Sequence, residues 1–435
     1  MLRFERSALA AVLGACFLVA WSPELGRATD IEREPIRYSQ SVGENPVTQL
    51  QAKLDQGLVQ LEHQPRTGWL RSLLEQLQVP VSSQTLVYSK TSLQRQRISP
   101  TAPRALYFND DIYVGYCRGG SVLEISVADP RLGTEFYTLS QDADEKPKFL
   151  RQNDECLICH ASSATQSYPG HLLRSVLVDH GGNPILSQGS YRIDATTPWQ
   201  KRFGGWLITH PAMDSPHMGN QLVVQDSRTG SVQAEPWNVD DVELKSYLTG
   251  SSDWVAHLLL AHQTQVHNRL ARLTMETQLA LADEKALNRE LKEPEDKRWE
   301  STTRRIRSAA SDLVASLLFR DEADLPTELA SRNVSESPFA VEFQQLGPTT
   351  ADGRSLRELD LKSRLMKYPC SYLIYTNSFR RLPAQAKSEV IQAMQEILVQ
   401  GLAVKGYERL SLQDRQNIVG LLVRTLPEEF GAWKQ

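Results

Sequence analysis

The chain has 435 residues, of which 40% are hydrophobic, and a formal net charge of −4. This length allows two or three domains, and the apolar fraction suffices for real cores. The mildly acidic balance excludes a broad basic surface for nucleic acid.

The opening stretch MLRFERSALAAVLGACFLVAWSPELGRATD has the form of an export signal. Arg3 and Arg6 make a basic start, and Ser7 to Trp21 is an apolar run too short for a comfortable membrane span. Gly26-Arg27-Ala28 offers small residues at the cleavage positions, so residues 1–28 are expected to be removed and the mature chain to begin near Thr29. Two alternatives stay open. Leu13-Gly14-Ala15-Cys16 resembles a lipoprotein box, which would leave Cys16 lipidated, although Phe17, Leu18 and Val19 continue the apolar run. The segment could also persist as an uncleaved anchor. Membrane association is expected only in those two cases. Loss of residues 1–28 removes Arg3, Arg6 and Arg27 against Glu5 and Glu24, which takes the charge to about −5 (−4 − 1). No other run approaches the ~18 apolar residues of a transmembrane helix.

Residues 29–84 read as an N-terminal helical region. Residues 29–45 are polar and expected to be loose. Val47, Leu50, Leu54, Leu58 and Leu61 then recur at helical spacing, and Gly68 to Leu77 is a second short helix stopped near Pro80. From Thr85 the period changes, and residues 85–250 read as β-rich. TLVYSK, RALYFNDDIYVGYC, SVLEISVAD and TEFYTL are strand-like runs separated by Asp, Gly and Pro turns. Further on, LLRSVLVD and NPILSQ flank Asp179-His180-Gly181-Gly182, a hairpin turn, and GGWLITH and NQLVVQD flank another loop.

Residues 251–325 form a long-helix region. From Asp253 one helix can run to just before Pro294, with Val255, Leu259, His262, Val266, Leu270 and Leu273 on one face. A second helix spans Arg304 to Phe319. Residues 326–435 form a C-terminal helical region after a Pro- and Gly-containing link, with Ser411-x-x-Asp414 as a capping-box start. No internal repeat or low-complexity tract is present.

Between the strand-like runs lies NDECLICHASSATQSYPGHLLRSV, which contains Cys156-x-x-Cys159-His160. With five cysteines and nine histidines in the chain, a chance match to C-x-x-C-H is roughly a one-in-a-thousand event. A zinc site needs about four ligands, usually from two paired clusters, and there is no second C-x-x-C. A thioredoxin-like motif belongs at the start of a helix in a βαβ unit, whereas this one follows a charged loop and precedes a Ser/Thr-rich one. Covalent haem fits best. Cys156 and Cys159 add to the two vinyl groups, and His160 ligates iron on the proximal side. One haem c per chain is expected. Haem attachment to this motif occurs outside the cytoplasmic membrane, which agrees with the export signal and implies a periplasmic or otherwise exported protein. The expected fold class is α+β, with a β-rich haem-bearing central domain flanked by helical N- and C-terminal regions. This is not the all-α fold of class I cytochromes c.

The sixth ligand decides between electron transfer and small-molecule chemistry. The loop THPAMDSPHMGN carries His210, Met213, His217 and Met218, with Met218 slightly ahead of His217 as the distal ligand. A low-spin, six-coordinate ferric haem is expected on that basis. Weaker alternatives are His262, or its neighbour His267, on the apolar stripe of the long helix, where a buried hydrogen bond is the commoner role. His171, eleven residues after His160, is another, and an open position is the last. Arg174, Arg192 and Arg202 could face haem propionates, but ordinary arginine roles are preferred for them. Cys117 and Cys370 remain, either as a disulfide or as two separate buried thiols.

FNDDIYVGYCRGG, CLICH followed by PGHLLRS, NPILSQGSYR, RFGGWLITH followed by HMGN, HNRL and YPCSYLIY together resemble a group of exported bacterial proteins that carry a single cytochrome c-type motif. The resemblance runs from about Asn45 to Thr425. It implies haem binding through Cys156, Cys159 and His160, and a shared core that includes the loop around His217 and Met218. It implies no particular redox donor or acceptor, and the second C-x-x-C-H of a two-haem peroxidase is missing. The expected function is therefore that of an exported mono-haem c-type cytochrome carrying electrons. Two rivals are a haem enzyme acting on peroxide or a nitrogen oxide, and a structural or partner-binding protein stapled by haem.

Overall fold

The structure is a computed structural model that describes residues 31–209, 215–225, 228, 231–331, 336–401 and 404–433. The expected export signal, Cys16 and the start near Thr29 lie outside the described residues, as do His210 and Met213. Among the described residues no helix is long and apolar enough to cross a membrane.

The first helix, α1 (Pro46–Asp55), begins at a reciprocal cap. The Asn45 side chain accepts from the amides of Val47 and Thr48, and Thr48 caps the Asn45 amide in return. The leucine stripe overstates its length. The chain leaves the helix after Asp55 and turns at Gly57, whose φ is +70°. Leu58 is consequently 71% exposed, while Leu61 packs from irregular chain. The second helix, α2 (Leu70–Gln76), is close to expectation.

The strands β1 (Thr85–Val87), β2 (Arg104–Phe108), β3 (Ile112–Tyr116), β4 (Val122–Asp129), β5 (Gly133–Ser140), β6 (Phe149–Arg151) and β9 (Trp206–Leu207) form one antiparallel sheet in the order β6-β5-β4-β3-β2-β1-β9. Its two faces follow from the period of two. Ala105, Tyr107, Val114, Leu123, Ile125, Val127 and Leu139 point to one side and share a core with α1 and α2. Arg104, Leu106, Tyr113, Gly115, Glu124, Ser126, Thr134 and Phe136 occupy the other side by register.

That second side is covered by α3 (Glu155–His160) and by the long α4 (Trp254–Leu291). Asp253 caps α4 through the amides of Val255 and Ala256, and the helix ends before Pro294 as expected. A Cβ on Gly133 would lie 2.7 Å from the Ala271 methyl, so β5 and α4 approach at a bare glycine. Helix α5 (Glu300–Leu317) packs on α4 and starts four residues earlier than Arg304. Shorter helices follow: α6 (Pro338–Gln344), α7 (Asn377–Arg380), α8 (Ala384–Leu398), α9 (Leu412–Thr425) and α10 (Pro427–Phe430). The Ser411–Asp414 capping box is present at the start of α9. One apolar cluster joins the sheet to all these helices, from Val87 through Val255 and Leu313 to Trp433. The protein is thus mixed α and β, with a central antiparallel sheet and helices toward the C-terminus.

Two further expectations need correction. The segment before α1 is anchored rather than loose. Ile36 and Tyr38 are fully buried, the Tyr38 hydroxyl donates to the Thr134 carbonyl at 2.6 Å, and the Arg151 guanidinium covers the Tyr38 ring. Its polar composition hides these two apolar anchors. NPILSQ is not a strand either. After the Asp179 turn the chain makes a single bridge at Pro184 and a tight 3₁₀ turn, and β7 (Arg174–Val176) pairs instead with β8 (Ser190–Arg192). NQLVVQD does form a strand, β10 (Gln221–Gln225), which pairs with β11 (Val232–Pro236) outside the main sheet.

Candidate functional site

Cys156, Cys159 and His160 all lie on α3, between the edge strand β6 and β7. The two cysteines are three residues apart on a helix and so share one side of it. Both are free thiols, Cys156 partly buried and Cys159 exposed. Burial pushes the Cys156 thiol up to about 11, and the carboxylates of Glu124 and Glu155 reinforce the shift. A redox nucleophile must be a thiolate, and this surrounding disfavours one. Among the described residues no group of three or more His, Cys, Asp and Glu side chains converges as a zinc site requires. Among the described residues α3 does not lie in a βαβ unit, since β7 pairs with β8 and not with the main sheet.

The His160 ring packs on Phe136 of β5, with centroids 4.7 Å apart. Its Nδ1 lies 2.8 Å from the Gly170 carbonyl oxygen, so Nδ1 carries the proton and donates. The Gly170 amide donates back to the His160 carbonyl at 2.9 Å, and the Thr165 hydroxyl donates to that carbonyl too. Burial lowers the imidazole pKa, opposed by the Gly170 carbonyl, which leaves the ring neutral at neutral pH. With Nδ1 occupied, Nε2 holds the free lone pair, and it meets no hydrogen-bond partner among the described residues. A histidine oriented through Nδ1 with Nε2 free is the arrangement of a metal-ligating imidazole.

Below α3, Arg104 and Glu124 form an ion pair at 2.6 Å on the same face of the sheet, within electrostatic range of Cys156. The Arg104 guanidinium lies over Gly115, filling the place a side chain would take. The helix also carries Ile158 outward, 76% exposed, inside the C-x-x-C-H motif. Two thiols and one neutral imidazole on a single helix, with Ile158 exposed beside them, make a donor set that fits a covalently held haem.

The candidate distal ligands are not gathered here. His160 stands over β5. The Met218 sulfur accepts from the Ser175 hydroxyl at 3.7 Å and its methyl lies against Gly204, just ahead of β9. Five strand spacings separate β5 from β9, or about 24 Å at ~4.8 Å each. His217 accepts from the Gly219 amide through Nδ1 and packs on Phe203 and Trp199. His262 is fully buried, stacks on Phe319 and meets the Ser371 hydroxyl through Nε2 at 2.8 Å, the hydrogen-bonded core role. His171 alone comes near His160. It is buried over Tyr113, 4.2 Å between ring centres, with Ser126 and Thr134 at 3.4 Å. His267 joins the same group through the Tyr113 hydroxyl at 2.9 Å, and Gln263 and Tyr372 extend it toward the C-terminal helices.

Of the arginines, Arg202 is buried and donates to the main-chain carbonyls of Asp194, Ala195 and Thr197. Arg192 donates to the Ala164 carbonyl, tying β8 to the loop after α3. Arg174 is exposed. Cys117 and Cys370 are both buried and both free. Sequence reasoning passed over Phe136, Gly170, Asn268 and the Arg104–Glu124 pair. Asn268 holds the main chain of His171 through two hydrogen bonds, and only the quoted fragments PGH and HNRL hinted at that contact. No family model, curated protein or solved structure matches the chain, so nothing is carried over from a relative.

Proposed function

We propose that the protein is an exported mono-haem c-type cytochrome, with haem joined to Cys156 and Cys159 and ligated by His160. The observation that carries this is the single helix α3, which holds two free thiols on one side and an imidazole whose Nδ1 is committed to the Gly170 carbonyl. Bound haem supplies a one-electron couple, and electron transfer is the function such a centre serves best. The residues around it have separable tasks. Cys156 and Cys159 tether, His160 ligates, and Gly170 fixes the tautomer and aim of the imidazole. Phe136 supports the ring from below, and Arg104 is held by Glu124 beside the tether.

A second reading, small-molecule binding at an open sixth position, is favoured by one observation. Met218, His217 and His262 all stand apart from His160, and each has a local partner. Denaturing electrophoresis with haem staining tests the main proposal. The mature chain is expected to stain, and the Cys156→Ser, Cys159→Ser double variant is expected not to. Covalent haem in the double variant would show that the motif is not the tether. Rapid cyanide binding by a high-spin ferric protein would select the second reading.

A further inference from the structure

The Gly170 carbonyl that orients His160 is itself held from α4. Asn268 accepts the His171 amide through Oδ1 at 2.7 Å and donates from Nδ2 to the His171 carbonyl at 2.8 Å. One amide side chain thus clasps both main-chain groups of the residue that follows Gly170. Only one orientation of the Asn268 amide satisfies both bonds, because one end must accept and the other donate. The clasp needs a bare backbone at its neighbour. A Cβ on Gly170 would fall 2.5 Å from the Asn268 Oδ1 and 3.0 Å from its Cγ. The Gly170 peptide, in turn, both donates to and accepts from His160. A continuous chain of four short hydrogen bonds therefore runs from α4 to the imidazole of the C-x-x-C-H motif.

We infer that Asn268 is a positioning residue for His160: it fixes the Gly170 carbonyl against Nδ1–H and thereby sets how strongly Nε2 donates to iron. This rests on the haem proposal above. A well-aimed acceptor at Nδ1–H makes the imidazole a stronger donor, which favours the ferric state and lowers the reduction potential. Loosening the clasp weakens that acceptor and has the opposite effect. The outer partners of metal-ligating histidines commonly act in this way.

The test is the midpoint potential of purified, haem-stained protein. Asn268→Ala is expected to keep the covalent haem and shift the potential upward. Gly170→Ala disturbs the same carbonyl from the other side and is expected to shift it the same way. Gln278→Ala, which removes an uncharged side chain elsewhere on α4 bonded to the Arg131 carbonyl, is expected to leave the potential unchanged. A merely structural Asn268 would lower thermal stability without moving the potential. If both the Asn268 and Gly170 variants titrate at the wild-type potential, the inference is overturned. Should Asn268→Ala not fold, Asn268→Leu, close in size, uncharged and unable to make either hydrogen bond, takes its place and must still titrate above wild type. A wild-type chain without haem stain would remove the haem proposal itself, a failure seen before any variant is made.

Discussion

Replacing His257 with phenylalanine should stabilise the protein, and more so in acid. His257 lies in the first turn of α4 with 0% exposure, between the rings of Phe203 and Trp206, each 4.7 Å away. Neither ring nitrogen has a hydrogen-bond partner among the described residues. Burial, helped by the positive charge of Arg202, pushes its pKa down to about 3. A buried polar group left unsatisfied costs about 1–3 kcal/mol, so His257→Phe should gain about 1–2 kcal/mol at pH 7.5 once some strain from the larger ring is allowed. The pH-dependent part has a definite sign. The folded imidazole stays neutral, whereas the unfolded one protonates with a pKa of about 6.5. The depressed folded value therefore gives full stability above about pH 6.5, and that stability is lost as pH falls toward the folded pKa. Between pH 7.5 and 5.5 the wild type should lose about 1.4 kcal/mol through this group alone. Other titrating groups are common to both chains and cancel in the difference. Urea unfolding followed by circular dichroism at both pH values measures it. An advantage of the variant that is equal at the two pH values would refute the neutral, unpartnered state of His257. A variant less stable than wild type at both would mean that the histidine has a partner worth more than the packing.

Gly133→Ala should destabilise the protein by about 2 kcal/mol or more, since φ is +71° there and the new methyl would meet Ala271; chemical denaturation reads this directly. Cys117 and Cys370 should both alkylate in the denatured chain without reductant and be found unlinked by mass spectrometry. A crosslinked peptide containing both would contradict their separate burial. Ser411→Ala should cost about 1 kcal/mol through loss of the α9 capping box, measured in the same unfolding assay.

What could be read from the residues depended on whether the signal was local. The bounds of α4 follow from an apolar stripe, an Asp253 cap and Pro294, all within the segment itself. The β2 to β5 strands follow from alternation and turn residues in the same way. The leucine stripe of α1 ran past Asp55 because periodicity does not register a turn at Gly57. NPILSQ looked like a strand because its composition suits one, but β8 took the pairing with β7. Residues 31–45 looked loose because two buried side chains, Ile36 and Tyr38, were diluted among polar ones. At the site, Cys156, Cys159 and His160 were legible from spacing alone. Gly170 and Asn268 were not, because their roles exist only once α4 lies against the loop after α3. Met218 illustrates the converse. Its residue type suited an iron ligand, but sheet order decides distance, and β9 is at the far edge from β5.

The most direct test of the central proposal is the visible spectrum of the purified mature protein in both redox states, with the alkaline pyridine complex alongside. Haem held by two thioethers should remain with the precipitated chain after acid–acetone extraction. The α band of its pyridine complex should lie to the blue of protohaem, in an amount equal to one haem per chain. Absence of a Soret band from protein exported by a haem-c-competent host, or a haem that extracts freely, would contradict attachment at Cys156 and Cys159.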